Sequence, residues 1–257
     1  MIGFCPLASG SKGNCIYFAT KQKKILIDCG ISGKATKNKL ADINVDIADI
    51  DAIIVSHEHF DHIQGLKILA CKMGIPVFAN SETAKGIARQ LRTCPKFKIF
   101  STGERFEYGD LEIHPFTIPH DTPDPTAFTI KVDNMKIGFC TDLGFVTTLV
   151  TKQLKDCDYL YIEANHHPEM VHASPRPYLY KQRVLGRSGH LSNEACANLL
   201  QDIWSPRLKH IHLAHLSSEC NNPELALSTI KRVFTEKATC PEISIAHQTV
   251  VSRSISF

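Results

Sequence analysis

No C-x-x-C pair occurs in the 257-residue sequence; its ten cysteines never come closer than Cys5 and Cys15. That spacing excludes zinc-ribbon and thioredoxin-like modules. Several thiols, among them Cys29, Cys140, Cys157 and Cys196, sit inside apolar runs, where a thiol acts as a small hydrophobe. Reduced cysteines in a cytoplasmic protein are therefore expected, rather than a disulfide framework. No apolar run approaches the roughly 18 residues of a membrane span, so no membrane association is expected. The start, Met1-Ile2-Gly3-Phe4-Cys5-Pro6, lacks the basic and apolar regions of a secretory signal. Charge of one sign is also scarce: 29 Lys and Arg against 26 Asp and Glu leave +3, too little to imply a partner. An apolar content of 43% with 21% charged residues excludes a disordered chain.

Short β runs and amphipathic helices alternate along the whole length, without a low-complexity linker. Residues 14–19 and 24–27 read as strands around a polar turn at Lys21-Gln22-Lys23, and 52–55 as a buried strand. Ile63, Leu66, Leu69, Ala70 and Met73 recur at helical spacing and predict a helix closed by Gly74. Ser81 is the expected N-cap of a helix with Ala84, Ile87, Ala88 and Leu91 on one face. Ser192 is the expected cap of another, bearing Cys196, Leu199, Leu200, Ile203 and Trp204, and Asn222-Pro223 starts the last. One internal echo stands out. Residues 14–30 and 127–144 each read strand, turn, strand, then Asp28-Cys29-Gly30 or Asp142-Leu143-Gly144. Each is followed by a strand running into a histidine, His57 or His166.

The densest chemistry lies in Ser56-His57-Glu58-His59-Phe60-Asp61-His62, directly after a predicted buried strand. Three imidazoles and two carboxylates packed so closely would compete for hydrogen bonds without a shared positive centre. Imidazole nitrogen and carboxylate oxygen suit zinc, manganese or iron(II), and no thiolate favours softer ions. In a loop turning into a helix, His57 and His59 can aim at one ion while Asp61 and His62 aim at its neighbour.

This run resembles the H-x-H-x-D-H signature of the metallo-β-lactamase superfamily, which His57, His59, Asp61 and His62 match without departure. The resemblance extends over nearly the whole chain. Asp28 matches a buried aspartate that orients the metal loop, His120 the third-motif histidine, Asp142 a metal-bridging aspartate and His215 the last histidine. It implies an α/β fold, a four-layer αβ/βα sandwich of two mixed sheets flanked by helices, as one hydrolase domain over residues 1–257. It also implies two divalent metal ions, Zn or Mn: one on His57, His59 and His120, the other on Asp61, His62 and His215. Asp142 and a hydroxide would bridge them, and Asp28 would fix ring tautomers from behind. His120 is preferred to His114, which lies within a predicted strand before a proline. His215 is preferred to His212, which alternates with Ile211 and Leu213. Two ions about 3.5–4 Å apart lower the pKa of a bridging water, so the implied chemistry is metal-assisted hydrolysis, with the ester left open.

Four further runs resemble the YycJ/WalJ/VicX branch of that superfamily: residues 7–15, Glu163-Ala164-Asn165-His166, residues 189–194 and residues 214–222. That resemblance implies a cytoplasmic phosphodiesterase, a 5′-to-3′ exonuclease on double-stranded DNA. Residues 166–189 carry Arg176, Lys181, Arg183 and Arg187 against Glu169, a candidate basic lip or an ordinary solvated loop. Arg183 and Arg187 are the candidate DNA contacts, and the turn at Ser9 can offer amides to a phosphate. Tyr178 and Tyr180 either stack bases or anchor the loop. His190 either donates a proton to the leaving oxygen, binds phosphate or holds a structural hydrogen bond; with Asp61 it is the candidate catalytic residue. The alternative function is a small-molecule metallohydrolase of thioesterase, lactamase or cyclic phosphodiesterase type, which needs no basic lip.

Overall fold

The computed structural model describes residues 1–257. Its strands form two mixed seven-stranded sheets. The first holds β1 (Gly3–Ala8), β2 (Cys15–Ala19), β3 (Lys24–Ile27), β4 (Ala52–Ile54), β5 (Val77–Ala79), β6 (Phe97–Ile99) and β14 (Ile255–Ser256). Their order is β14-β1-β2-β3-β4-β5-β6. The second holds β7 (Phe106–Tyr108), β8 (Leu111–Thr117), β9 (Thr126–Val132), β10 (Met135–Cys140), β11 (Tyr159–Glu163), β12 (His210–Ala214) and β13 (Glu242–Ile245). Here the order is β13-β12-β11-β10-β9-β8-β7. The chain divides into two compact units: Met1–Pro115 with Thr122–Thr126 and His247–Phe257, and Phe116–Asp121 with Ala127–Ala246.

In the first unit, β2 and β3 pair antiparallel, then β3, β4, β5 and β6 run parallel. Short strands buried on both faces read as apolar runs, which is why Ala52–Ile54 shows no alternation. Tyr17, Leu26, Ile53 and Val77 meet Leu40 of α1 (Gly33–Ala41) and Ile87 of α4 (Ser81–Leu91) in one core. The second unit repeats the plan: β9 and β10 pair antiparallel, then β10, β11, β12 and β13 run parallel. The sequence echo is thus a topological repeat. Leu160, Ile162 and Leu213 are covered by α5 (Thr148–Leu154), α8 (Asn193–Ile203) and α9 (Pro223–Lys231), through Val150, Leu199 and Ile230. In each unit, the parallel run places several strand C-termini at one edge of the sheet, where α/β folds build their sites.

Two local expectations are corrected. The helix expected from Ile63 to Met73 is two short helices, α2 (Phe60–Ile63) and α3 (Leu66–Leu69). The break is at Gly65, whose N–H donates to the Cys29 carbonyl at 2.8 Å instead of continuing α2. A Cβ there would stand 2.4 Å from Cys29 Sγ, so only glycine permits the approach. The N-cap of α4 is Asn80, not Ser81; its Oδ1 accepts the Thr83 N–H at 2.8 Å. The caps at Ser192 and Asn222 are as expected, accepting from Ala195 at 3.1 Å and Leu225 at 2.7 Å. The proline-containing segment after β11 forms α6 (Pro168–Ala173) and α7 (Tyr178–Leu185). No helix is long and apolar enough to cross a membrane, and all ten cysteines are free.

One buried carboxylate makes the acid stability of the second unit predictable. Asp158, just before β11, accepts from the Lys136 N–H at 3.0 Å and Arg207 Nη2 at 3.0 Å, with Lys209 Nζ at 3.4 Å. Burial alone would raise its pKa, but these partners together hold it below the ordinary 3.8. A depressed carboxylate contributes stability above its unfolded pKa and loses it as the pH falls through the folded value. Asp158→Asn is therefore expected to lower the melting temperature at pH 7 and to narrow the gap to wild type below pH 3. A constant gap across pH 7 to pH 2 would contradict this.

Candidate functional site

In the first unit, the donors hang from the ends of β3 and β4. Asp28 follows β3 with φ of 58°, a left-handed conformation that a non-glycine residue adopts at a cost when function or packing demands it. Its N–H is held by the Ile54 carbonyl at 2.8 Å, which turns the carboxylate toward the segment after β4. There Oδ1 accepts the Ser56 N–H at 2.8 Å and Oδ2 accepts His62 Nδ1–H at 2.8 Å. Ser56 Oγ lies 2.9 Å from Asp28 Oδ2 and 3.0 Å from His57 Nδ1. Because a carboxylate only accepts, the chain runs His57 Nδ1–H to Ser56 Oγ–H to Asp28, and His62 Nδ1–H directly to Asp28. Both rings are thereby left with a lone pair on Nε2.

His57 Nε2 stands 3.1 Å from His59 Nδ1. Tetrahedral bonds of about 2.0–2.1 Å to zinc separate two nitrogens by about 3.3–3.4 Å, so this pair has nearly the bite of one cation. His62 Nε2 is 3.7 Å from Asp61 Oδ2. Asn14, on the approach to β2, places Nδ2 at 3.3 Å from that Oδ2 and 3.0 Å from His62 Nε2. Its backbone N–H also donates to the Asp61 carbonyl at 2.8 Å. Gly30 makes this stacking possible, since a Cβ there would lie 1.5 Å from the Asp61 carbonyl oxygen. Ser9 is buried, and its N–H donates to the His247 carbonyl at 3.0 Å, so that amide is committed to the fold.

The second unit gathers its donors around Glu163, the last residue of β11, which is fully buried. Oε1 accepts from His215 Nδ1 at 2.8 Å and His190 Nδ1 at 2.9 Å. Oε2 accepts the backbone N–H groups of Leu143 at 2.8 Å and Leu191 at 2.9 Å. Burial would raise the Glu163 pKa, but His190 and His215 outweigh it and hold the carboxyl well below its ordinary value. Glu163 thus does for His215 and His190 what Asp28 does for His62 and His57. The sequence carries one signal for this role that local motifs do not reveal: Glu163 is an acid ending an otherwise apolar strand.

Asp142 and His215 follow β10 and β12 with φ of 57° and 54°, so with Asp28 three residues of the expected site adopt the left-handed conformation. Asp142 Oδ1 lies 3.5 Å from His215 Nδ1, 3.8 Å from His190 Nδ1 and 3.9 Å from His120 Nε2. The ligand atoms of Asp142, Glu163, His190 and His215 lie within 4.8 Å of one another. Asn165 supports the strained turn by donating Nδ2–H to the His215 carbonyl at 2.7 Å. His120 Nδ1 is 3.3 Å from the Gly189 carbonyl. The rivals lie elsewhere: His114 contacts the Gly103 carbonyl at 3.1 Å, and the His212 ring packs near His210 and Tyr161. His166, the second strand-end histidine, is buried near Asn165, and burial pushes its pKa down to about 4. Arg183 Nε donates to Asp121 Oδ2 at 2.7 Å, and the Arg187 guanidinium lies 4.2 Å over the Phe145 ring.

Hard nitrogen and oxygen donors, with tautomers set by buried carboxylates, suit divalent cations in both units. The profile of the β-lactamase superfamily domain matches residues 23–213, and the chain belongs to that superfamily. Within it, the chain falls in the YycJ/WalJ branch. It is 38% identical to the exodeoxyribonuclease YycJ of Bacillus anthracis, over 91% of this chain and 89% of that protein. It is likewise 38% identical to the exodeoxyribonuclease WalJ of Streptococcus pneumoniae, over 87% and 85%. Among solved structures, the metallo-β-lactamase fold protein YhfI of Bacillus subtilis superposes with a TM-score of 0.71 at 17% identity, over 98% of this chain and 99% of that one.

Proposed function

We propose that this chain is a divalent-metal-dependent exodeoxyribonuclease, acting 5′-to-3′ on double-stranded DNA, with residues 1–257 working as one hydrolase domain in the cytoplasm. The observation that carries this reading is the 38% identity to YycJ, which extends over nearly the full length of both chains. The ten free thiols agree with a reducing compartment. In this reading His57, His59 and His120 would hold one divalent ion, zinc or manganese, and Asp61, His62 and His215 would hold a second, with Asp142 available to both. When bound, such a pair supplies Lewis-acid activation of water and neutralises charge on the phosphodiester.

The remaining work falls to the chain's own residues. Asp28 and Glu163 keep Nδ1 of their histidines protonated, so Nε2 is the ligating atom of His57, His62 and His215. His190 is held the same way but is partly exposed; only when its ring is doubly protonated, with the charge offset by Glu163, does Nε2 carry a proton, and that Nε2–H is the donor for the leaving oxygen. Arg183 and Arg187 neutralise flanking phosphates, and their contacts with Asp121 and Phe145 limit their rotamers beforehand.

Labelled 5′-phosphorylated duplex, incubated with the protein and manganese or zinc, is expected to release nucleotides from the 5′ end. Chelator is expected to stop release and added metal to restore it. Chelator-resistant digestion, or none with any divalent metal, would contradict the proposal.

A further inference from the structure

Two rings share one carboxylate oxygen in the second unit, yet they come from different loops. His190 precedes α8 and His215 follows β12. Both Nδ1 atoms reach Glu163 Oε1, at 2.9 and 2.8 Å, and the ring centroids lie 5.0 Å apart. The carboxylate accepts from both rings but does not set the separation of the loops that carry them.

Residues 164–167 continue from β11 between those loops. On one side, the Asn165 N–H donates to the Leu191 carbonyl at 2.8 Å and the Asn193 N–H to the His166 carbonyl at 2.9 Å. On the other, the Ser217 N–H donates to the Asn165 carbonyl at 2.8 Å and the His167 N–H to the Cys220 carbonyl at 2.9 Å. Each loop is thus laddered to the middle segment, and a pair of buried side-chain amides then joins loop to loop. Asn193 Nδ2 donates to Asn221 Oδ1 at 2.9 Å. Asn221 Nδ2 in turn lies 3.0 Å from Asn193 Oδ1, 2.9 Å from the Ala164 carbonyl and 3.1 Å from the Asn165 carbonyl. Asn221 has a structural use besides, since it caps those two carbonyls. The Asn193 side chain meets only Asn221, and an apolar side chain there would avoid the cost of desolvating an amide. What the amide adds is direction, because a satisfied buried polar pair closes in one arrangement.

We propose that Asn193 is a positioning residue that acts through Asn221: the amide pair fixes the spacing of the two loops, so that the His190 and His215 rings meet Glu163 together. This rests on the nuclease reading above, in which His190 supplies a proton and His215 is a metal ligand.

The test follows the imidazole N–H signals of His190 and His215 by NMR, in full-length zinc-reconstituted protein with isotope-labelled histidine, beside steady-state cleavage of duplex. His62, held by Asp28 in the first unit, is the internal reference. In Asn193→Ala, Asn221 keeps the Ala164 and Asn165 carbonyls and the Asn222 N–H at 2.9 Å, so no partner is orphaned. The His190 and His215 N–H groups are expected to exchange with solvent at least about tenfold faster than in wild type, with His62 unchanged. The kcat is expected to fall about 10–100-fold, the usual cost of disturbing the support behind a ligand, while KM stays within about twofold. Asn193→Asp keeps the side-chain size but cannot donate to Asn221 Oδ1. It stands at the first position of α8, where the helix dipole favours negative charge, and is expected to show the same losses should the alanine variant not fold. Asn222→Ala removes the cap of α9 and is expected to lower the melting temperature with both signals and kcat as in wild type. Wild-type exchange and kcat in the Asn193 variants, or equal losses in Asn222→Ala, would overturn the positioning role and leave the nuclease reading intact. A wild-type protein that cleaves no duplex with any divalent metal would overturn the nuclease reading and the catalytic part of this role, while the exchange rates still decide whether Asn193 holds the rings.

Discussion

Asp61→Ala is expected to reduce phosphodiester hydrolysis by at least about a thousandfold, while the melting temperature changes by only a few degrees. Losing a proposed ligand forfeits several kcal/mol of charge stabilisation in the transition state, at about 1.4 kcal/mol per factor of ten. The Asp61 side chain is partly exposed. Its Oδ2 makes a long 3.3 Å contact with Asn14, whereas the structural bond runs from the Asn14 N–H to the Asp61 carbonyl. Alanine keeps that carbonyl. Turnover near the wild-type level would remove Asp61 from the catalytic centre, and an unfolded variant would show that the geometric argument misjudged its role. Nucleotide release and thermal melting, measured on one preparation, separate the two.

Glu163→Gln is expected to damage folding and activity together. The carboxylate accepts four N–H donors: two imidazoles and two backbone amides. A glutamine amide would present its own donors to some of them, leaving at least one buried N–H without an acceptor. Each such orphan costs about 1–3 kcal/mol. The His190 and His215 rings would also lose the acceptor that fixes their tautomers, a change that typically weakens metal retention by about 10–100-fold. Asp28→Asn in the first unit is expected to behave in the same way, since Asp28 holds His62 directly and His57 through Ser56. Glu163→Gln with wild-type stability and metal content would contradict this positioning role. The comparison with Asp61→Ala is the informative one: one residue is proposed to act through its side chain on the reaction, the other two through the rings they hold.

Much of the site was legible because its first half is local. Four proposed ligands lie within six residues after an apolar strand. Asp28 and Asp142 were also visible, because each ends a hairpin in an Asp-x-Gly turn. The resemblance places Asp28 behind the first histidines, but nothing in the sequence shows that Glu163 sits behind His190 and His215. Glu163 meets His190 across 27 residues and His215 across 52, through parallel pairing that aligns Glu163 with Ala214. Asn14 reaches Asp61 across 47. Such contacts depend on strand order, which local periodicity does not encode.

The helix break at Gly65 was hidden for a related reason: the hydrophobic spacing runs straight through it, and only the Cys29 carbonyl diverts the backbone. Between Val171 and Tyr180, Pro175 and Pro177 interrupt any period, and α7 then buries chiefly Val184. A helix with so narrow an apolar stripe gives little amphipathic signal.

The central claim is that these donors hold two divalent cations. Elemental analysis of the purified, metal-reconstituted protein tests it most directly. The account predicts about two zinc or manganese ions per chain in wild type, with fewer in Asp61→Ala. A wild-type protein that retains no divalent ion after reconstitution would contradict it.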